Sequence, residues 1–151
     1  MKLRQLDVMN LNLCYVAVER VDSVRDFGVI LDSELSMRVH ISKISSTCFF
    51  HLRRLRKLRS LIDTASAQRL ASAFILSRVD YCNAILTGLP TSTLAPLQRV
   101  LNAAARFVAV ATSHAHVSVN TKSLHWLPIA YRIRFKLSVC TAFTTKQVLR
   151  I

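Results

Sequence analysis

The segment SMRVHISKISSTCFFHLRRLRKL (residues 36–58) has the clearest periodicity in the chain. Its apolar residues follow one another at intervals of three or four, which is the spacing of one face of an α-helix. Ser36 is a suitable N-cap, and the helix should end near residues 60–64. The sequence therefore predicts a long amphipathic helix whose buried face holds Ile41, Ile44, Cys48, Leu52, Leu55 and Leu58.

Three further helices follow by the same reasoning. One is predicted over residues 65–86, capped by Asp63 or Thr64, and Gly88-Leu89-Pro90 should separate it from the next. The next is predicted over 92–111, and Pro128 should start the last after a polar loop at 112–120. The expected core residues of these helices are Leu70, Phe74, Ile75 and Val79, then Leu97, Val100, Leu101, Ala104, Phe107 and Val108, then Ile133, Leu137, Cys140 and Phe143.

The region before the first helix has a different pattern. Residues 14–21 and 24–31 are rich in β-branched and aromatic side chains, which predicts two short strands joined by a turn at Asp22-Ser23. With only two glycines and three prolines, the chain has few residues for the turns of a sandwich or barrel. The predicted fold class is therefore mainly α, with a short two-stranded β element at the N-terminus followed by about four helices.

The 151 residues combine high apolarity with a large positive charge. Apolar residues make up 52% of the chain, which argues against disorder, and the net charge is +13. Arginines outnumber lysines 15 to 6, and residues 81–151 contain no acidic side chain. Because guanidinium groups bind phosphate in bidentate fashion, this composition favours a polyanionic partner, either nucleic acid or an anionic membrane surface.

The densest basic cluster lies at the end of the first predicted helix. No acidic residue occurs between Glu34 and Asp63 to neutralise it. Such a ridge can contact several phosphates, and the plainer alternative is a solvated helix face. The candidate nucleic-acid-binding residues are Arg53, Arg54, Arg56, Lys57 and Arg59.

No catalytic, cofactor or metal site is predicted. The only glycines are Gly28 and Gly88, so the chain lacks a glycine-rich phosphate loop. Cys48-x-x-His51 with His114-x-His116 is a weak zinc pattern, and Asp80 is better explained as an ion-pair partner of Arg78 or of a neighbouring helix. The four widely spaced cysteines, without a signal peptide or a spanning segment, predict free thiols and an intracellular protein of the nucleus or cytoplasm that is not secreted.

Four strings resemble one protein family. VRDFGVILDSELSMRVHI (24–41), SRVDYCNAILTGLP (77–90), LQRVLNAAARF (97–107) and KSLHWLPIAYRIRFKL (122–137) are similar to the C-terminal part of LINE-type non-LTR retrotransposon reverse transcriptases, such as jockey- and chicken-repeat-like elements. The resemblance covers residues 20–143 in unbroken order, and the DYCN and LHWLP strings are specific to that group.

The resemblance implies three regions. Residues 1–35 resemble the end of the polymerase palm, where Phe27 and Gly28 would belong to the primer grip. Residues 36–111 resemble the helical thumb that holds the template–primer duplex. Residues 112–151 resemble a truncated connector of loop and helix. The palm's catalytic Tyr-x-Asp-Asp motif has no counterpart, because the chain contains no adjacent Asp pair.

Two interpretations follow. In the first, the chain is a noncatalytic polymerase fragment, not an enzyme by itself, that binds RNA or an RNA–DNA duplex through the basic helix face. It would have no small-molecule substrate and no cofactor. In the second, it is an interaction or structural protein whose exposed apolar helix faces contact a protein partner, a second copy or a membrane surface.

Overall fold

The computed structural model describes the backbone of residues 11–13, 16–18, 21–109 and 124–148, and the side chains of residues 21–109 and 124–142. The described chain is mainly α, as predicted, with a two-stranded antiparallel sheet at residues 23–32 followed by four helical regions, at 38–61, 64–86, 91–109 and 129–148. The predicted loop at residues 112–120 lies outside the described residues.

Two β-hairpins precede the helices. Strands β1 (Leu11–Leu13) and β2 (Val16–Val18) pair with each other, as do β3 (Ser23–Asp26) and β4 (Val29–Asp32). The predicted turn at Asp22-Ser23 is therefore wrong, because Ser23 pairs with Asp32 inside the second hairpin. The turn is at Phe27-Gly28, where both residues have positive φ, as a two-residue hairpin connection of the primed type requires.

Helix α1 (Arg38–Leu58) confirms the long amphipathic helix. Its predicted stripe is buried or half-buried from Ile41 to Leu55, whereas Leu58 in the last turn is exposed. The predicted N-cap was one residue early. Met37 occupies the N-cap position with a left-handed backbone. The Ser36 hydroxyl donates to the Asp32 carboxylate and accepts from the Arg38 amide at 3.5 Å.

The second predicted helix is divided into several segments. Helix α2 (Thr64–Ala71) begins at an Asp63 N-cap, whose carboxylate accepts from the Ala65 and Ser66 amides at 3.1 and 3.3 Å. A π-turn (Ser72–Leu76), helix α3 (Ser77–Asp80) and a 3₁₀ turn (Asn83–Leu86) follow. A π-turn inserts an extra residue and rotates the helical phase, so Phe74, predicted to be buried, is 40% exposed.

Helix α4 (Thr91–Ala109) forms the other half of the core. All six residues predicted for its buried face are buried, and so are the three small side chains of Ala103-Ala104-Ala105. The helix packs against α1 and α2. A proline at position 96 lies inside the helix.

Helix α5 (Ile129–Val148) starts directly after Pro128, as predicted. The first turn is closed by a hydrogen bond from the Arg132 amide to the Pro128 carbonyl, at 3.0 Å. Ile133 is buried, but Leu137 and Cys140 are exposed, so the predicted core stripe ends after one turn. Phe143 lies outside the described side chains. None of the helices in the described ranges is both long and apolar enough to span a membrane.

Candidate nucleic-acid interface

Four of the five predicted basic residues project from the last two turns of α1. Arg53, Arg54, Arg56 and Lys57 are all exposed. At about 100° per residue, Arg53 and Lys57 lie about 140° and 180° around the helix from the buried Cys48, and the other two lie on either side. Because α1 contains no acidic residue, the positive charge of this end of the helix has no intrahelical counterpart.

Arg59 is directed into the protein. Its Nε donates to the Phe107 carbonyl, its Nη2 to the Val108 carbonyl and its Nη1 to the Ile62 carbonyl, each at 2.9 Å. A cation at the C-terminal end of α4 also complements the helix dipole. The structure therefore separates Arg59, which ties α1 to α4, from the four exposed cations.

An aromatic side chain accompanies the exposed cations. The Arg54 guanidinium lies 5.4 Å from the centre of the Phe50 ring, a cation–π distance, and Phe50 is itself exposed. The neighbouring His51 ring packs against Phe74, with 5.4 Å between ring centres. Partial burial, together with the charges of Arg78 and Arg54, lowers the pKa of His51. Such a mixture of cations and rings suits contacts with both phosphates and bases.

The hairpin tip predicted to resemble a primer grip is held by the DYCN string. The Tyr81 hydroxyl donates to the Phe27 carbonyl at 2.6 Å. A Cβ at Gly28 would lie 3.6 Å from Cε1 of Tyr81, so the ring packs against the bare glycine. The Phe27 side chain is 85% exposed. The hairpin thus presents an aromatic ring to solvent from a fixed turn.

A basic cavity of about 500 Å³ lies beside this hairpin, and the sequence did not predict it. Arg25 from β3, Lys43 from α1 and Arg78 from α3 line it, together with the buried His40, and no carboxylate does. The His40 Nδ1 accepts from the Ile30 amide at 3.3 Å, which leaves the ring proton on Nε2. Burial lowers the pKa of His40. Because the three cations come from three separate elements, no local pattern in the sequence brings them together.

One stripe of α1 connects the cavity to the exposed cations. Lys43, Thr47, Phe50 and Arg54 follow at spacings of four, three and four, so they share a face of the helix. From Lys43 to Arg54 the axial distance is about 16 Å at 1.5 Å per residue. Lys43 and Arg54 therefore lie at the two ends of one face of α1, with the uncharged Thr47 and Phe50 between them.

Asp80 and Cys48 have structural roles, whereas His114 and His116 of the predicted zinc pattern lie outside the described residues. Asp80 forms an ion pair with Arg132 of α5, with 2.8 Å between Oδ1 and Nε. Of the two partners that the sequence suggested, Arg78 or a residue of a neighbouring helix, the structure has the second. Burial raises the pKa of the Cys48 thiol to about 11, so the residue is a protonated core side chain at neutral pH. Within the described residues, no three His, Cys, Asp or Glu side chains lie close enough to hold a metal ion.

Comparison of the chain with protein-family models, with curated proteins and with solved structures gives no match.

Proposed function

We propose that the chain is a noncatalytic nucleic-acid-binding unit that resembles the thumb of a retrotransposon reverse transcriptase. Its ligand in this proposal is RNA or an RNA–DNA duplex, gripped by the exposed cations of α1. The observation that carries the proposal is the set Arg53, Arg54, Arg56 and Lys57, exposed on one end of a helix without acidic residues.

The charge distribution around this set favours a ligand over a merely solvated face. The one ion pair among the described side chains, Asp80 with Arg132, uses residues away from α1. The basic cavity lined by Arg25, Lys43 and Arg78 extends the same surface toward the hairpin. Since α1 has 21 residues, it is about 32 Å long, enough to follow several consecutive phosphates of a duplex.

The assignment to the end of a palm and a thumb rests on the four sequence strings that carry the resemblance. The arrangement of hairpin, long basic helix and packed helices agrees in order with what those strings imply. The proposal places the duplex against α1, with the exposed Phe27 ring at one end of the contact surface.

Fluorescence anisotropy with a labelled 16-base-pair RNA–DNA duplex tests this proposal. The triple variant Arg53→Glu/Arg54→Glu/Lys57→Glu should weaken binding by at least about 100-fold, because three phosphate contacts become repulsive. The matched control is Arg69→Glu/Arg134→Glu/Lys136→Glu, which removes three exposed cations elsewhere and changes the net charge equally. Equal weakening by both variants would show that only net charge matters and would overturn the proposed site.

A second candidate function is association through α5. Tyr131, Phe135 and Val139 are exposed at spacings of four along this helix and form an apolar stripe. If the stripe mediates self-association, the elution volume in gel filtration without nucleic acid should depend on concentration. Tyr131→Ser/Phe135→Ser should abolish that dependence, and a monomer at every concentration would contradict this candidate.

A further inference from the structure

The basic cavity beside the second hairpin brings three cations together without a counter-charge. Arg25 comes from β3, Lys43 from α1 and Arg78 from α3, and all three are exposed. No carboxylate lines the cavity, and the ion pair among the described side chains, Asp80 with Arg132, involves none of these cations. Like charges that converge in this way repel one another, so a bound anion would stabilise the arrangement.

His40 is an independent sign that the cavity receives a ligand. The residue lines the cavity and is only 3% exposed. Because Nδ1 accepts from the Ile30 amide, the ring proton is on Nε2, which has no acceptor in the described part of the chain. The described polar atoms that are fully enclosed and unpartnered belong to Ser45, Asn83 and Arg106, so Nε2 of His40 keeps accessible surface. An N–H group without an acceptor on a buried residue is rare in folded proteins, and the cavity is where this one can meet an acceptor.

The side-chain groups left free in the cavity are hydrogen-bond donors. The hydroxyl groups of Thr47, Ser77 and Tyr81 already donate to backbone carbonyls. The donors that remain for a ligand are the Nε2–H of His40, two guanidinium groups and one ammonium group. A ligand with several acceptor oxygens and negative charge, such as a phosphate group, matches this set.

Charge and size narrow the class of ligand. A phosphate monoester carries about −1.5 to −2 at pH 7, whereas each backbone phosphate of a nucleic acid carries about −1, so three cations match the monoester better. The volume of about 500 Å³ falls within the range of small-molecule sites, about 300–1,000 Å³. Ile30, Ile44 and Ala73 give the cavity an apolar part that can cover a nucleoside.

We propose that the basic cavity binds the phosphate monoester of a nucleotide. The phosphate oxygens accept hydrogen bonds from Arg25, Lys43, Arg78 and His40. Two sources can supply the monoester, a free nucleotide and the 5′-phosphate at the end of a strand. Binding of a strand end would rest on the proposed function and deepen it. The cavity uses none of the four exposed cations at the end of α1, so the nucleotide site and the duplex contact can fail separately.

Titration of ¹⁵N-labelled protein with adenosine monophosphate at pH 7.5 tests the site. The amide signals of Gly28 and Ile30, which line the cavity, should shift and saturate. Adenosine, which lacks the phosphate, should cause no saturable shift at the same concentrations. Lys43→Gln/Arg78→Gln should raise the Kd about 100-fold, because each lost charged donor weakens binding about tenfold.

Two further variants sharpen the test. Arg69→Gln/Arg134→Gln removes two exposed arginines outside the cavity and is the matched control, so it should leave the Kd nearly unchanged. His40→Phe keeps a ring but removes the buried donor, and it should raise the Kd about tenfold. The same spectra show whether each variant is folded.

Three results would overturn the site. The first is the absence of saturable shifts with adenosine monophosphate in the wild type, or equal saturation by adenosine. The second is equal weakening by the two double variants, which would show that only net charge matters. The third is an unchanged Kd in folded His40→Phe, because the buried donor distinguishes the site from a solvated basic surface.

Anisotropy with the 16-base-pair RNA–DNA duplex identifies the source of the monoester. If the cavity holds a strand end, a 5′-phosphorylated duplex should bind more tightly than a 5′-hydroxyl duplex, and Lys43→Gln/Arg78→Gln should remove that difference. If it holds a free nucleotide, the two duplexes should bind equally while adenosine monophosphate still saturates. Either result supports the site. A wild type that binds the nucleotide but not the duplex would overturn only the proposed duplex contact, and the reverse would overturn only this site.

Discussion

Replacing Arg59 with alanine should destabilise the protein strongly. The four exposed cations of α1 that are proposed to contact nucleic acid should stay in place. The guanidinium donates three hydrogen bonds of 2.9 Å to the carbonyls of Ile62, Phe107 and Val108. Two of those carbonyls lie in the last turn of α4, where helical carbonyls lack intrahelical donors. One side chain thus connects the end of α1 to the end of α4.

The size of the effect follows from the contacts that are lost. A hydrogen bond to a charged group contributes about 1.5–3 kcal/mol when it is well buried. Arg59 is half-buried, and water can reach the freed carbonyls, so about 1 kcal/mol per bond is the appropriate value. The guanidinium also lies 5.9 Å from the centre of the Phe107 ring, a cation–π contact of about 0.5 kcal/mol. The free energy of unfolding should therefore fall by about 3.5 kcal/mol.

Urea denaturation followed by circular dichroism measures this loss. With a slope of about 2 kcal/mol per molar urea, the midpoint should move down by about 1.8 M. Arg56→Ala is the matched control, because Arg56 is exposed on the same helix and should change stability by less than about 0.5 kcal/mol. If the two variants unfold at the same urea concentration, the assignment of Arg59 as a tie between helices is wrong.

Two further perturbations test other parts of the structure. Burial lowers the pKa of His40 below its ordinary value of about 6.5. The neutral His40 side chain therefore stabilises the fold above about pH 6.5, and this stabilisation is lost as the pH falls through the pKa of the folded state. The Tm should therefore drop between pH 7.5 and 5.5, and less steeply in His40→Gln; an unchanged slope in that variant would contradict the assignment. Asp80→Ala should cost about 2–3 kcal/mol in urea denaturation, because it leaves Arg132 partly buried without its partner, whereas Arg134→Met, on the exposed face of α5, should cost less than about 0.5 kcal/mol. Equal midpoints for the last two variants would show that the ion pair does not hold α5.

The helices were predictable where one face of the sequence is consistently apolar. The apolar stripes of α1 and α4 are buried nearly as expected. The two helices pack against each other, so each covers the apolar face of the other. The Asp63 cap was also predictable, since a short side chain with an acceptor oxygen directly precedes a helical run.

The errors in the fold have local causes. Residues 24–31 have the composition of one strand, yet Gly28 supplies the positive φ that turns them into a hairpin. The glycine was the available signal. The exposure of Phe74 depends on a π-turn, and the spacing of apolar residues in the sequence does not predict such a turn.

The candidate site was predictable only in part. The basic run at the end of α1 is visible in the sequence, but Arg53 and Arg59 look alike there. The difference between them comes from the end of α4, 48 residues further along the chain, which supplies acceptors to Arg59 alone. The basic cavity likewise depends on residues from separate elements, so it requires the packed structure.

The salt dependence of duplex binding tests the central claim most directly. Anisotropy titrations of the 16-base-pair RNA–DNA duplex between 50 and 300 mM salt give the slope of log K against log salt concentration. Each phosphate neutralised in a duplex contributes roughly −0.9 to this slope for B-form DNA. The slope of the Arg53→Glu/Arg54→Glu/Lys57→Glu variant should therefore be shallower than that of the wild type by about 2 to 3. The same slope in both proteins would contradict a nucleic-acid interface on α1.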